Sequence, residues 1–152
     1  MSESIVSVLI AVLSLAGLVI SLYFTLAYYG RVKKSRWIPE ILCAREGSSC
    51  VTVLQTPYAR LFGVPNSLLG LVYYSIVSIA FGTDFGALWG WGHDLEQLLF
   101  FFTVYALSFF TVIVSGYLTY ALRRRLRIDC PLCYAGHAIN LAIFLIIFLV
   151  FR

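Results

Sequence analysis

From Ile5 to Tyr29 the chain carries no charged side chain, and the run stops at Gly30, just ahead of Arg31, Lys33, Lys34 and Arg36. A helix apolar all the way round has no face to offer water, and this one exceeds the roughly 20 residues that cross the hydrocarbon layer. Three more stretches follow the same pattern. They run from about Gly63 to Gly82, from about Leu95 to Leu122 before Arg123-Arg124-Arg125-Leu126-Arg127, and from Pro131 to Phe151. With 61% hydrophobic and 12% charged residues, against roughly a quarter charged in soluble domains, the chain is expected to be a membrane protein. Four spans use up most of 152 residues, and short links between consecutive spans predict an all-α, up-down bundle of four transmembrane helices in a single domain, residues 1–152. Met1-Ser2-Glu3-Ser4 lacks the basic region of a secretory signal, so the first helix is expected to be retained.

The link between the first two spans, residues 31–62, is too polar to cross a bilayer and too apolar to be a free loop. Trp37, Ile38, Ile41 and Leu42, then Val51, Val53, Leu54, Tyr58, Leu61 and Phe62, predict a short helical segment lying in the interface and capping one end of the bundle. A glycine-rich link, Gly82 to Gly92, joins spans two and three, with His93 beside it. The basic residues flank spans and form no face interleaved with aromatics, which argues against a nucleic-acid partner. Without charges at mid-membrane or broken helices, a transporter is not indicated either.

Four spans place residues 31–62 and the link before Pro131 on the same side. Ten of the eleven Lys and Arg lie there, and only Arg152 lies opposite. Lys and Arg collect on the cytosolic side of short loops, so both termini are predicted outside and both basic links in the cytosol.

All four cysteines fall on that basic side, as Cys43 and Cys50 in the first link and as Cys130-Pro131-Leu132-Cys133 at the start of the last span. Asp129-Cys130-Pro131 reads as a helix start, with Cys130 near the N-cap and Pro131 at the first helical position. A helix N-terminus favours negative charge, and thiolate is the reactive form of a thiol. Cys133, His137 and Asn140 follow at i, i+4 and i+7 on one face, which should point into the bundle. A dithiol at a membrane border suits the transfer of electrons to something lipid-soluble, and two thiol pairs are the least that a disulfide relay needs. A four-cysteine zinc site is the rival reading, but Cys43 and Cys50 are seven apart, where such sites use two to four. Cys43 and Cys50 would also suit a purely structural disulfide. His137 would serve either as a tie between helices or as a pocket hydrogen-bond donor, and Asn66, after Pro65, either as a cap or as a pocket residue.

Cys50-Val-Thr-Val-Leu-Gln-Thr-Pro-Tyr58 through Gly63-Val-Pro65-Asn66-Ser-Leu-Leu-Gly70, together with Cys130 to Asn140, resembles the vitamin K epoxide reductase (VKOR) family over most of the chain. The DsbB-type disulfide-generating proteins also have four spans and two cysteine pairs, but their Cys-x-x-Cys comes first, so they stand as the alternative. The resemblance implies a quinone-dependent thiol-disulfide oxidoreductase. Cys43 would exchange with a thioredoxin-like partner, and Cys50 would pass electrons to Cys130. A ubiquinone- or menaquinone-like quinone beside Cys133 would restore the Cys130–Cys133 disulfide. Asn66 matches an asparagine that hydrogen-bonds the quinone carbonyl in vertebrate members, and His137 falls where those members have a tyrosine. Thr56 stands where the family usually has serine. Many bacterial members carry a fused thioredoxin-like domain, whereas this chain is expected to meet its partner separately. Family members commonly face the periplasm or the endoplasmic reticulum lumen. The arginines here predict an inverted member with its active site on the cytosolic face.

Overall fold

The computed structural model describes residues 3–31, 53–82 and 95–150. Four α-helices make up most of this: α1 (Glu3–Tyr28), α2 (Asn66–Gly82), α3 (Leu95–Tyr120) and α4 (Pro131–Val150). Cys43, Cys50, most of the expected interfacial segment, the glycine-rich link and His93 lie outside the described residues.

Three of the helices are long and apolar enough to cross a bilayer, over Ile5–Tyr28, Leu98–Leu126 and Pro131–Leu149. The helix α2 is shorter. Its 17 residues rise about 26 Å against a hydrocarbon thickness of about 30 Å. The expected start at Gly63 moves to Asn66 because the preceding residues turn back on themselves. Arg60–Leu61 and Val64–Pro65 pair as a small antiparallel ribbon, Arg60 opposite Pro65 and Leu61 opposite Val64. Phe62 (φ 53°) and Gly63 (φ 82°) form its two-residue turn. Left-handed backbone at both turn positions matches the twist of a tight hairpin. Before the ribbon, Pro57–Ala59 is a single 3₁₀ turn, and Thr56 Oγ1 donates to the Val53 carbonyl at 2.7 Å.

The other helix ends have local causes. Gly30 (φ 67°) closes α1: its N–H reaches Ala27 O at 3.1 Å, and Arg31 N–H reaches Leu26 O at 2.9 Å. This is the Schellman arrangement, which satisfies two of the last carbonyls. The third span runs past its expected end at Leu122. Residues Ala121–Leu126 continue as a wider π turn until Arg127, left-handed at φ 52°, ends it; both Arg127 N–H and Ile128 N–H reach Leu122 O.

All four helices contribute to one buried core: Val6 and Ile10 from α1, Tyr73, Tyr74 and Val77 from α2, Val104 from α3, Ile143 and Ile147 from α4. A second cluster forms around Phe24 and Cys130, with Ile20, Tyr23, Val53, Leu54, Leu132 and Cys133 packed against it. Outward-facing residues such as Val8, Val19, Val72, Phe102, Ile113 and Leu149 are apolar and exposed, as suits helices in lipid. The helices do not pack evenly. α1 lies along α2, and α4 lies against both α1 and α3, but α2 and α3 barely touch.

Candidate functional site

Cys130 occupies the N-cap of α4, as Asp129-Cys130-Pro131 indicates: the helix begins at Pro131, and the Cys130 carbonyl accepts from Tyr134 N–H at 3.1 Å. Its sulfur takes the place that a serine oxygen holds in an ordinary cap, directed at the N–H groups of Leu132 and Cys133. Cys133, one turn on, donates its thiol hydrogen to Cys130 Sγ at 2.6 Å. That hydrogen bond, aided by the two backbone N–H groups, holds the Cys130 thiol below the ordinary thiol range although burial pushes the other way. The two sulfurs are joined by this hydrogen bond and not by a disulfide. Their environments differ. Cys130 is completely enclosed, packed with Phe24 in the second cluster, whereas Cys133 is half-buried and lines a cavity.

The cavity measures about 380 Å³ and occupies the gap between α2 and α3, with α4 behind it. Its walls are mostly aliphatic and aromatic. Its polar groups include Asn66 and Ser67 at the start of α2, Tyr74 further along it, Ser115 on α3, and Cys133, His137 and Asn140 on α4. Val72 and Ile76 of α2 and Leu107 and Phe110 of α3 line the same space and are also exposed on the outer surface. Between these two helices, therefore, the cavity opens sideways, toward the lipid.

Asn66 Nδ2 donates to Tyr58 O at 2.8 Å, tying the 3₁₀ turn to the first turn of α2. A backbone carbonyl can only accept, so this bond fixes which way the amide points. It leaves Asn66 Oδ1 and Ser67 Oγ buried with no hydrogen-bond partner among the described residues. Buried polar atoms of this kind are uncommon and mark a place where a ligand or water completes the structure.

Deeper in the gap, Tyr74 Oη donates to Asn140 Oδ1 at 2.6 Å and approaches Gly136 O at 3.3 Å; Asn140 Nδ2 donates to Ser115 Oγ at 2.9 Å. Asn140 thus links α2, α4 and α3. Beside it, Tyr73 Oη donates to Ser108 Oγ at 3.1 Å, a second link from α2 to α3.

The stripe of Cys133, His137 and Asn140 does face the interior, and Asn66 reaches the same cavity from α2. The helix-tying role considered for His137 belongs to Asn140. Sequence reasoning overlooked Ser67, Tyr74 and Ser115. Serine and tyrosine are unremarkable in an apolar helix, and with ten tyrosines in the chain no spacing singles out Tyr74. The one available signal is Ser67 next to Asn66, a polar pair in the first turn of an otherwise apolar helix. Among the described residues, no three His, Cys, Asp or Glu side chains gather as a metal ion would require. Cys43 and Cys50 fall outside those residues.

No curated protein sequence matches the chain. Residues 8–148 match the vitamin K epoxide reductase family, nearly the whole chain. Membership brings thiol oxidoreductase chemistry in general, and with the three apolar spanning helices it makes the chain an integral membrane protein. A cysteine pair at the head of a membrane helix, opening on one side to an apolar cavity, sits within that match, and the chain belongs to the VKOR family.

Proposed function

We propose that the protein is a quinone-dependent thiol-disulfide oxidoreductase. It takes electrons from a thioredoxin-like partner through Cys43 and Cys50, then Cys130 and Cys133, and delivers them to a membrane quinone of the ubiquinone or menaquinone kind. The observation that carries this reading is the division between the two thiols of the pair: Cys133 lines the lipid-open cavity, while Cys130 is enclosed on the protein side. Cys130 also packs in the cluster that contains Val53 and Leu54. Cys50 precedes Val53 by three residues, and an extended chain of that length spans at most about 11 Å. That short separation in sequence supports the assignment of Cys50 as the thiol that exchanges with Cys130.

The cavity suits a prenylated ring. Its aliphatic walls and sideways opening match an isoprenoid chain, and its polar groups gather where a ring would meet Cys133. Asn66 Oδ1 and Ser67 Oγ, both without partners among the described residues, supply an acceptor and a donor-acceptor; His137, one turn beyond Cys133, supplies a ring nitrogen. A bound quinone supplies a two-electron acceptor that takes up two protons. On the protein side, the partner's dithiol loses two electrons and two protons and leaves as a disulfide. The four cysteines pass these on by thiol-disulfide exchange, which conserves one disulfide at each step. When Cys50 exchanges with the Cys130–Cys133 disulfide, Cys50 attacks Cys130 and Cys133 leaves; the lowered Cys130 thiol then makes its own sulfur a good leaving group when Cys43 resolves the Cys50–Cys130 mixed disulfide.

Ten of the eleven Lys and Arg lie on the side of the cysteines, so we place the thiols toward the cytosol, with cytosolic proteins as the oxidised substrates. Alkaline phosphatase fused after Arg152 is expected to be active, and a C-terminal fluorescent fusion lighting up in the cytosol overturns the orientation. The chemistry is tested with purified protein in detergent. Reduction of a short-chain quinone should require a dithiol donor and should disappear in Cys133→Ala. Quinone reduction that survives this substitution removes Cys133 from the path.

A further inference from the structure

We infer that Tyr74, Asn140 and Ser115 form a positioning clamp that sets the depth and width of the quinone pocket, an inference that rests on the quinone-dependent reading above. The starting point is the gap itself. Helices α2 and α3 barely touch, so direct packing does not hold the two walls of the cavity at a fixed separation. Two hydrogen-bonded bridges cross the gap, Tyr73 to Ser108 and the longer chain Tyr74–Asn140–Ser115. The longer one passes through α4, the helix that carries the thiol.

Its attachment point matters. Tyr74 Oη reaches both the Asn140 side chain (2.6 Å) and the Gly136 carbonyl (3.3 Å). These two residues flank His137 on the turn that follows Cys133, so the clamp grips the part of α4 that presents polar groups to the cavity. Tyr74 is itself held from behind. It is buried, and a Cβ placed on Gly17 of α1 would overlap its ring, so α1 leaves a bare backbone notch for the ring to occupy. A ring seated in a notch has little freedom, and its hydroxyl fixes the turn 136–140 relative to α1 and α2. The donor hydrogen of Tyr74 and one amide hydrogen of Asn140 are already committed within the clamp. It therefore acts on the ligand through geometry: it limits how far the ring slides past Cys133 and keeps His137 facing it.

The expected kinetic signature is a change in KM with little change in kcat. Tyr74→Phe keeps the ring in its notch and removes the hydroxyl; Asn140→Leu removes the central link. Each should raise the KM for a short-chain naphthoquinone about tenfold, the factor that corresponds to about 1.4 kcal/mol, near the worth of one hydrogen bond. Each should leave kcat at saturating quinone within about twofold of wild type. Because both substitutions cut one chain, the double variant should be no worse than the poorer single variant, a coupling that independent sites do not show. Ser115→Ala cuts the other end and answers the question if Tyr74→Phe fails to fold, as judged by its thermal midpoint in detergent.

Singles that leave KM within about twofold of wild type, or a double variant whose losses multiply to about a hundredfold, overturn the clamp. A loss of thermal stability with unchanged KM overturns it too, reducing the three residues to packing. If wild-type protein neither binds nor reduces the naphthoquinone, the quinone-dependent reading falls and the clamp with it. If wild type turns over normally and the variants match it, only the clamp falls.

Discussion

Helix α2 has two unlike sides. Toward α1 it meets a close seam: Gly17 leaves room for the Tyr74 ring, a Cβ on Gly70 would stand 2.6 Å from Ser21 Oγ, and Ser14 and Ser78 share a hydrogen bond at 2.8 Å. Ser7 Oγ adds a bond to the Phe81 carbonyl at 2.7 Å near the far end. Toward α3 the same helix faces a cavity of about 380 Å³ with two hydroxyl bridges across it. In lipid, apolar contact alone does not drive helices together, so close packing through small residues and interhelical hydrogen bonds decides which pairs adhere. The α1 side has both. The α3 side presents Val72, Ile76, Leu107 and Phe110, bulky side chains that keep the backbones apart and leave space for a ligand. The close packing is concentrated in the seam, and the proposed quinone site lies in the gap.

The largest effect should come from spoiling the seam. Gly17→Val drives a branched side chain into the Tyr74 ring and should destabilise the bundle by more than ~3 kcal/mol, at or beyond the upper range for overpacked cores. The reading is a collapse of the thermal midpoint, or loss of the monodisperse species in detergent; a midpoint near wild type would show that the seam is loose. Gly116→Ala is the matched control, because a Cβ there meets nothing within 4 Å and alanine favours the helix.

A substitution at the mouth of the gap should have the opposite profile. Val72→Trp fills the opening from an exposed position and should raise the quinone KM about tenfold, a loss of about 1.4 kcal/mol in binding, while the thermal midpoint stays put. Equal damage to both would erase the distinction between the two sides of α2.

At the head of the gap, the Cys130 thiol should ionise at lower pH than an ordinary thiol, since the Cys133 thiol and two backbone N–H groups stabilise its thiolate. In a Cys43→Ala/Cys50→Ala background, thiolate absorbance should appear on raising the pH before that of free cysteine. Adding Cys133→Ala should move the transition to higher pH, because the largest stabilising contact is removed. An unmoved transition would assign the effect to the helix N-terminus alone.

The smallest effect concerns the ribbon that leads into α2. Phe62 is 88% exposed and left-handed, a conformation that costs a non-glycine residue roughly 1–2 kcal/mol. Phe62→Gly should relieve part of this and raise the unfolding free energy by up to ~1 kcal/mol, with the quinone KM unchanged. A lower midpoint would mean that the exposed ring contributes more by anchoring in the interface than the backbone loses.

Features written in neighbouring residues were legible. The arrest of α1 at Gly30, the start of α4 at Pro131 and the N-cap place of Cys130 depend on a few adjacent residues, and the structure has each of them where the motif implies. The inward face of Cys133, His137 and Asn140 followed from helical periodicity. Boundaries set by several residues acting together were read less well. The start of α2 moved to Asn66 because Phe62 adopts a left-handed conformation that its side chain does not advertise, and α3 ran on through a π turn to Arg127. The sequence marks Asn66 as either a cap or a pocket residue, and its bond to Tyr58 O, which ties the 3₁₀ turn to α2, adds a third role that depends on a residue eight positions away.

By itself the sequence determined that this is a membrane bundle, where its helices begin and end to within a few residues, and that a thiol pair heads the last span. These follow from hydrophobic run length, capping chemistry and helical period, all local properties of the chain. Only the tertiary structure decided that Cys130 is enclosed against Phe24, that α2 adheres to α1 and stands away from α3, and that Tyr74, Asn140 and Ser115 join across three helices. Residues far apart in sequence meet only after small side chains such as Gly17 and Gly70 select which helices come close, and no local pattern records that choice.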